Sequence, residues 1–290
     1  MYKNKGVYKG EWRGGFRFGN GEMRWSDGAV YRGEWSFSYA HGKGSFFYPN
    51  GDVYEGCWAY NKANGEGKYT HSNGALYEGD WKDDTQHGRG KESWNDGARY
   101  EGEYNHGKKH GKGTYTWNDN SIYTGDWEEN NISGKGIYKW KDGKQYIGEW
   151  KNNNINGFGL YLWPEGKKYI GYYLDDQKQG YGKYVWDNGR EYNGWWYNNR
   201  QYGLGKYYEV EGEVKYGLWE NGKRIKWFNE EEANFVVKGR LNYITFFSQD
   251  KSKKEVPRNK SFDPPEEFEA KCNEIKKEFP EYIIHFNTTK

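Results

Sequence analysis

The chain has 290 residues, of which only 34% are hydrophobic while 20% are aromatic, including 16 Trp and 29 Tyr. Disordered chains are poor in aromatic residues, so this composition excludes a mainly disordered protein despite the low hydrophobic content. The 44 basic and 42 acidic residues give a net charge of +2 and are interspersed along the chain, which is not the charge pattern of a nucleic-acid-binding protein.

The dominant feature is a repeat of 23 residues in which a Y-x-G-x-W motif is followed by a G-x-G motif. In one unit the two motifs are Tyr146–Trp150 and Gly157–Gly159, and a tenth register falls on Lys215. A fixed period of this length predicts stacked supersecondary units rather than one compact globule. The tyrosine position is filled by Tyr8, Tyr31, Tyr54, Tyr77, Tyr100, Tyr123, Tyr146, Tyr169 and Tyr192.

Each half of a unit alternates in the manner of a β-strand, so that Tyr146, Gly148 and Trp150 share one side of the chain. Two strands per unit predict a β-hairpin. The loop inside a unit, residues 151–156, is expected to be the longer connection. A tight turn with positive φ is expected at the Asp-Gly and Asn-Gly pairs, which recur at one offset. These pairs are Asp27-Gly28, Asn50-Gly51, Asn73-Gly74, Asp96-Gly97, Asp142-Gly143 and Asn188-Gly189.

The regular glycines explain the abundance of aromatic residues. A glycine weakens a strand, but it leaves room for a large ring to lie across the bare main chain and shield it. We therefore expect an all-β fold, a single-layer, curved antiparallel sheet of hairpins. Its concave face would carry Tyr, Trp and Gly, and its convex face would carry Lys, Glu and Arg.

The 23-residue unit resembles the MORN repeat (membrane occupation and recognition nexus) over about residues 6–224. Tyr104 and Tyr173 replace the motif's Trp, and Lys226 and Phe228 occupy the G-x-G positions of the tenth unit. The array is therefore expected to span residues 1–226, as nine units and one half unit. The resemblance implies scaffolding and interaction rather than one particular activity.

Residues 227–290 do not follow the repeat and are expected to form a capping or docking extension. Asn229 and Glu232 have the spacing of a capping box, which predicts a short helix over residues 230–238 with Gly239 just beyond its end. We expect the beginning of this extension to cover the last strand edge of the sheet, because an unpaired edge attracts other strands.

The rest of the extension predicts a strand over residues 241–247, a basic linker over residues 251–260 and a second helix over about residues 264–279. Asp263 and Pro280 provide the start and stop signals of this helix. It carries one apolar stripe that needs a surface to cover. The stripe consists of Phe268, Cys272, Ile275 and Phe279.

The aromatic face is the candidate binding surface. One interpretation is that the rings only hold the sheet together, and the other is that their edges also receive a partner peptide or helix. Solenoids commonly bind partners along a concave surface. The candidate partner-binding residues are Tyr54, Trp58, Tyr77, Trp81, Tyr100, Tyr123, Trp127, Tyr146, Trp150, Tyr169, Tyr192 and Trp196.

No motif predicts catalysis, a cofactor or a metal site, so a non-enzyme is expected. His41, His87 and His110 precede the G-x-G motif in their units, and equivalent residues one unit apart would lie about 10 Å apart, too far to share a metal ion. Residues 107–114 contain several Gly and Lys but do not satisfy the phosphate-loop pattern. Cys57 has no evident His or Cys partner.

Two functions remain open. The first is a structural scaffold that binds other proteins of a large cytoskeletal assembly, because stand-alone arrays of this kind are similar to radial spoke head and other axonemal proteins. The alternative is a peripheral membrane adaptor for anionic phospholipids, for which residues 251–260 are the nearest approach to a basic cluster. An accessory array of an enzyme is disfavoured, because about 65 residues follow the repeats.

The expected location is the cytoplasm, in a cilium or flagellum axoneme. Cys57 and Cys272 are far apart in sequence, and residues 1–5 lack the apolar run of a signal peptide, which favours a reducing compartment. Self-association is possible through the free sheet edge near residues 8–12. Nucleic acid is not an expected partner.

Overall fold

The structure, a computed structural model, describes residues 6–237 and 261–282. The chain divides into two compact units, Met1–Ile132 and Ser133–Lys290, here called the N-terminal and C-terminal units. The predictions of a C-terminal glycine cap at Gly239, a strand over residues 241–247 and a linker over residues 251–260 lie outside the described residues.

The N-terminal unit is built of antiparallel strands, each of which pairs with its neighbours in sequence. Its strands are β1 (Gly6–Arg13), β2 (Phe16–Trp25), β3 (Val30–Ser36), β4 (Tyr39–Phe47), β5 (Val53–Ala59), β6 (Lys62–Thr70), β7 (Leu76–Lys82), β8 (Thr85–Ser93), β9 (Arg99–Asn105), β10 (Lys108–Thr116) and β11 (Ile122–Glu128), and the unit boundary falls within β12 (Asn131–Lys139).

The C-terminal unit continues the same hairpin pattern and adds two helices. Its further strands are β13 (Gln145–Lys151), β14 (Asn154–Leu162), β15 (Lys168–Leu174), β16 (Gln177–Val185), β17 (Glu191–Tyr197), β18 (Arg200–Tyr208), β19 (Val214–Glu220) and β20 (Lys223–Phe228), followed by helices α1 (Glu230–Val237) and α2 (Glu266–Glu278) and a 3-10 turn, Pro280–Tyr282. The predicted all-β array of antiparallel hairpins is confirmed.

The prediction that the tenth unit ends after one strand was wrong. Residues Lys223–Phe228 form β20, which pairs with β19 through contacts such as Gly217 with Trp227. The strand survives the loss of the G-x-G motif because Trp219 and Trp227 meet edge to face, with ring centroids 5.6 Å apart. Aromatic cross-strand pairs stabilise a sheet without requiring glycine.

The predicted loop lengths were also wrong. The two-residue turn connects the two strands inside one 23-residue repeat unit, and the longer connection lies between repeat units. The strands β13 and β14 are joined by Asn152 and Asn153 alone, with φ of 49° and 68°. Two successive positive φ values define the type I′ turn, which Asn, Asp and Gly favour. The five-residue connection is the one between units, where Gly143 has the predicted positive φ of 85°. The Asn-Asn pair at residues 152–153 was the sequence signal for the shorter turn.

The second residue of this turn also links consecutive 23-residue repeat units through hydrogen bonds. In the N-terminal unit the Asp84 carboxylate accepts a hydrogen bond from the Ala63 backbone N–H at 2.7 Å, while the Asp84 N–H donates to the Ala63 carbonyl at 3.0 Å. Asp176 makes the same pair of bonds with Ile155 in the C-terminal unit, at 2.7 and 2.9 Å. The turns therefore have a structural role between units, 21 residues apart in sequence.

In both the N-terminal and the C-terminal unit, the tyrosines and tryptophans of the repeat form a core on one face of the sheet, called the aromatic face. The Tyr31 ring lies edge to face between Trp35 and Trp58, with ring centroids 5.1 and 5.2 Å away. Its hydroxyl donates to the Glu34 carbonyl at 3.0 Å, and the Trp58 indole N–H donates to the Gly44 carbonyl at 2.9 Å. Both of these buried rings thus satisfy their own polar atoms within the sheet.

Candidate interaction surfaces

The structure places the predicted aromatic site residues in the interior of the aromatic face. Tyr54, Tyr77 and Tyr100 are each 1% exposed, and Trp58 is 7% exposed. Burial, with the neighbouring Cys57 as a smaller cause, raises the pKa of Tyr54 well above its usual value, so its hydroxyl stays a hydrogen-bond donor. These positions of both units, including Tyr123, Trp127, Tyr146, Trp150, Tyr169, Tyr192 and Trp196, serve the core, and Trp81 is half-buried.

Part of the aromatic face nevertheless opens into a cavity of about 720 Å³ in the N-terminal unit, called the aromatic cavity. The buried residues Ala40 and Ala63 line it. Asp84, which belongs to the turn between β7 and β8, lines it as well. The rings that line it are Trp25, Tyr31, Trp35, Phe46, Tyr48, Tyr54, Trp58, Tyr60, Tyr69 and Trp81, and the cations Arg17 and Lys62 line it as well.

The opposite side of the sheet, called the groove face, was predicted to be convex, and that prediction was wrong. In the N-terminal unit a groove of about 1040 Å³ runs along it from Arg32 on β3 to Lys112 on β10. Six basic and six acidic side chains line this groove. The basic residues are Arg32, Lys43, Lys68, Arg89, Lys91 and Lys112, and the acidic residues are Glu55, Glu66, Glu78, Asp80, Glu101 and Glu103.

In the C-terminal unit the groove face is apolar instead of charged. Ile147 and Leu160 are fully buried there, and Ile170 is 4% exposed. They occupy the same motif positions as charged residues of the N-terminal unit: Glu55 is the counterpart of Ile147. The sequence analysis noted the alternation of these positions but missed the change from charged to aliphatic side chains, which was the available signal for a covered face.

Helix α2 lies on this apolar surface through the predicted stripe. Phe268 is fully buried, Cys272 is 5% exposed and Ile275 is 7% exposed. The Phe268 ring meets the rings of Phe158 and Tyr181 edge to face, with centroids 5.4 and 5.0 Å away. Burial raises the pKa of the Cys272 thiol to about 12, so it acts as a small apolar side chain. The fourth stripe residue, Phe279, is half-buried against the same cluster.

Polar contacts flank the stripe and orient α2. Lys135 Nζ lies 2.9 Å from both Glu274 and Glu278, and these two hydrogen bonds raise the pKa of Lys135 to about 12. Lys271 Nζ lies 3.0 Å from Glu149 on β13. Exposed ion pairs contribute little stability, about 0–1 kcal/mol each. On the other side of the stripe, Lys183 Nζ lies 3.0 Å from Glu269. Ion pairs on both sides thus set the direction of the helix, while the buried rings supply the stability.

Helix α1 covers the groove face near the end of the array. Its capping box is confirmed, since the Glu232 N–H donates to the Asn229 side chain at 2.8 Å and the Asn229 N–H donates to the Glu232 carboxylate at 3.1 Å. Ala233 and Val236 pack with Leu204 and Leu218 in one cluster with Phe228 and Phe262. Helix α1 therefore covers a face of the sheet. That the beginning of the C-terminal extension also covers the last strand edge remains a prediction.

Within the ranges 6–237 and 261–282, no group of three or more His, Cys, Asp or Glu side chains is arranged to hold a metal ion. Among those same residues, no helix has the length and apolar character needed to cross a membrane.

Comparison with known proteins identifies the repeat. A model of the MORN repeat family matches eight consecutive stretches: residues 8–30, 31–53, 54–76, 77–99, 100–122, 123–145, 146–168 and 169–189. The registers that begin at Tyr192 and Lys215 lie beyond this match, although each of them forms a hairpin, β17–β18 and β19–β20. No curated protein matches the chain.

Two solved structures show weak similarity. The wild-type TCP10 domain of Danio rerio CPAP is 12% identical with a TM-score of 0.36, over 73% of this chain and 94% of that chain. The Drosophila melanogaster SAS-4 TCP domain, in complex with a proline-rich motif of Ana2, is 17% identical with a TM-score of 0.34, over 54% of this chain and 85% of that chain. Scores of this size assign neither the fold nor the function of this chain.

Proposed function

The chain belongs to the MORN-repeat family, and from this premise we propose that it is a non-enzymatic scaffold that binds segments of partner proteins along its groove face. MORN arrays are in general non-catalytic modules for protein or membrane interaction. The observation that carries the proposal is the position of α2. Its side chains Phe268, Cys272 and Ile275 are buried on the groove face of the C-terminal unit. The same side of the repeat, in the N-terminal unit, provides the groove for a partner.

The charges of the N-terminal groove support a protein partner. Its six basic and six acidic side chains are interspersed along the sheet. Anionic lipid is bound by clustered basic residues, whereas interspersed charges of both signs complement a polypeptide that also carries both signs and fix its register. No described residue of the C-terminal extension is among those that line this groove.

We further propose that these partners belong to a cytoskeletal assembly in the cytoplasm, in particular the radial spoke or another part of a ciliary or flagellar axoneme. The support for this assignment is the similarity of stand-alone MORN arrays to radial spoke head proteins. A scaffold of such an assembly needs binding surfaces repeated along its length, and a repeat array supplies them.

Proximity labelling in the source cell tests the groove and the location together. The triple variant Glu55→Lys, Glu78→Lys and Glu101→Lys reverses exposed charges in the groove. The control variant Glu165→Lys, Asp187→Lys and Glu211→Lys makes the same change of charge in exposed loops between units. We expect the wild type and the control to label the same axonemal proteins and the groove variant to lose them.

Equal labelling by all three proteins would contradict a role for the groove, and neighbours from another compartment would contradict the axoneme. Co-sedimentation with vesicles that contain phosphoinositide provides the complementary measurement. Saturable, lipid-specific binding by the wild type would favour the membrane adaptor instead.

A further inference from the structure

Strand β1 of the N-terminal unit is paired along one side only. Among the described residues its ladder partner is β2, and seven of its eight residues are exposed. Val7 is 63% exposed and Trp12 is 60% exposed, whereas Trp35, the equivalent of Trp12 in the next repeat unit, is 4% exposed. The outer side of β1 is therefore an open strand edge that carries apolar side chains.

The corresponding edge of β3 shows which strand such an edge accepts. β3 pairs with β2 in a ladder without a bulge, in which Gly33 lies opposite Gly21. The Trp35 indole N–H donates to the Gly21 carbonyl at 3.2 Å. Gly10 and Trp12 of β1 are the motif equivalents of Gly33 and Trp35. The strand that fits β1 therefore has a glycine opposite Gly10, and the carbonyl of that glycine accepts the Trp12 N–H.

Strand β1 meets this requirement itself, because its sequence is complementary to its own antiparallel copy. The symmetric register sets Gly10 opposite Gly10 of a second copy. Lys9 then lies opposite Glu11 of the second copy. Tyr8 lies opposite Trp12 in the same way. Each pair occurs twice, and side chains that lie opposite each other share a face of the sheet. The rings therefore extend the aromatic face, and the charges extend the groove face.

Ion pairs between directly opposite residues already occur in the N-terminal unit. Glu22 and Arg32 lie opposite each other on β2 and β3, with Arg32 Nε 2.7 Å from the carboxylate. Lys91 and Glu101 do the same on β8 and β9, at 3.0 Å. Opposite charges in such pairs stabilise a sheet, and like charges destabilise it. The two lysine–glutamate pairs of the symmetric register therefore favour the pairing of β1 with its copy.

The same charges disfavour the neighbouring symmetric registers. Pairing centred on Lys9 would place this lysine opposite its own copy. Pairing centred on Glu11 would oppose two glutamates and bring Lys9 opposite Arg13. Both registers also remove glycine from the position opposite Gly10. Three adjacent residues, Lys9, Gly10 and Glu11, thus specify one register.

The last strand, β20, differs from β1 in both respects. It carries Lys223, Arg224 and Lys226 within six residues, and such charges on an edge strand oppose pairing with another chain. Its G-x-G positions hold Lys226 and Phe228, so it has no glycine to place opposite Gly10. A head-to-tail contact between β1 and β20 is therefore disfavoured, and the symmetric contact of β1 is favoured.

We propose that two copies of this chain associate through β1, which pairs antiparallel with its own copy and has Gly10 at the two-fold axis. The contact joins two N-terminal units in one sheet. It uses the same surface of both copies, so it closes as a dimer and leaves no β1 edge for further growth. No residue of β1 lines the groove, so the dimer stands independently of the proposed function.

Sedimentation equilibrium of the full chain measures the association, at concentrations from about 1 μM to 1 mM. We expect a reversible monomer–dimer equilibrium for the wild type. Lys9→Glu opposes two acidic residues in each pair, and Glu11→Lys opposes two basic residues. Each variant alone should dimerise about tenfold or more weakly than the wild type. An equimolar mixture of the two variants restores both pairs of opposite charge, so it should form a heterodimer with about the wild-type affinity.

The control variant Glu66→Lys makes the same change of charge beside Gly67 on the inner strand β6, at an exposed position. It should dimerise as the wild type does. Circular dichroism and a thermal melt verify that each variant is folded. This check matters for Glu11→Lys, because the Glu11 carboxylate accepts a hydrogen bond from the Asn20 N–H at 2.8 Å.

The proposal is overturned if the wild type stays monomeric, if it grows beyond a dimer, or if the mixture of folded variants associates no better than each variant alone. Should Glu11→Lys fail to fold, Lys9→Glu and Trp12→Ala decide the question. Both change exposed side chains of β1 and should weaken the dimer. Wild-type association by both would contradict the proposal.

Discussion

The hydroxyl group of Tyr146 lies where a side chain on Gly159 would have to be. A Cβ atom added to Gly159 would lie 2.3 Å from Tyr146 Oη, and the same hydroxyl donates a hydrogen bond to the Glu149 carbonyl at 3.1 Å. Because Tyr146 is fully buried, it has no free space into which to move. The tyrosine of the Y-x-G-x-W motif and the second glycine of the G-x-G motif therefore contact each other.

Gly159→Ala should destabilise the C-terminal unit by about 1–3 kcal/mol, since overpacking forces a buried ring from its position. Tyr146→Phe alone should remove about 1 kcal/mol with its hydrogen bond. The double variant should lose less than the sum, because the smaller ring relieves part of the clash. Urea unfolding of the three variants measures this coupling, and strictly additive losses would show that the contact is not responsible.

Phe268→Ala should destabilise the attachment of α2 by about 3–5 kcal/mol, as other truncations of buried aromatic residues do. Asn273→Ala on the exposed side of the same helix should change stability by less than about 0.5 kcal/mol. Hydrogen exchange of the α2 amides reports the attachment directly. Equal protection in both variants would mean that Phe268 does not hold the helix on the sheet.

Asp176→Ala should destabilise its turn by about 1–2 kcal/mol. The variant loses the hydrogen bond to the Ile155 N–H and places alanine at a φ of 64°. Asp176→Asn should be close to neutral, because Asn199 makes the same bond with Lys178 at 2.8 Å. Thermal unfolding of both variants provides the test, and a loss of the same size for Asn would refute the role of the side-chain acceptor.

The lowered pKa of Lys178, whose cause is burial, predicts that the folded protein becomes more stable as the pH rises above neutral. Its folded pKa of about 8 lies below the ordinary 10.5, so between these pH values the unfolded chain binds more protons than the folded one. Stability then rises with pH, by about 2 kcal/mol from pH 7 to pH 9.5 for this group. Urea titrations of the wild type and Lys178→Met at both pH values isolate the contribution. A difference between the two proteins that does not change with pH would contradict it.

Truncation after residue 260 removes α2 and should expose the apolar groove face of the C-terminal unit, including Ile147, Phe158 and Ile170. Exposed apolar patches of this kind promote association. We expect increased binding of a hydrophobic dye and concentration-dependent light scattering. Truncation after residue 282 leaves α2 in place and serves as the control. A truncated chain that stays monomeric and binds no dye would show that α2 is not needed as a cover.

The repeat itself could be predicted from local sequence. The side chains of a strand alternate between its faces, so the Y-x-G-x-W pattern determines that Tyr146 and Trp150 share a face with the glycines. Positive φ at Gly143 is likewise a property of a few adjacent residues. The boundaries of α2 followed from its start and stop signals to within two residues, because capping is local as well.

The sequence alone determined the period, the hairpins and the membership of each face, since all of these depend on residues within about one unit of each other. Only the tertiary structure decided which face is covered and which residues line the groove and the aromatic cavity. Phe268 meets Phe158 across 110 residues, and the rings that line the aromatic cavity come from successive repeat units, so neither relationship is encoded in a single motif. Such contacts depend on how strands stack, and stacking brings together side chains that no local pattern relates.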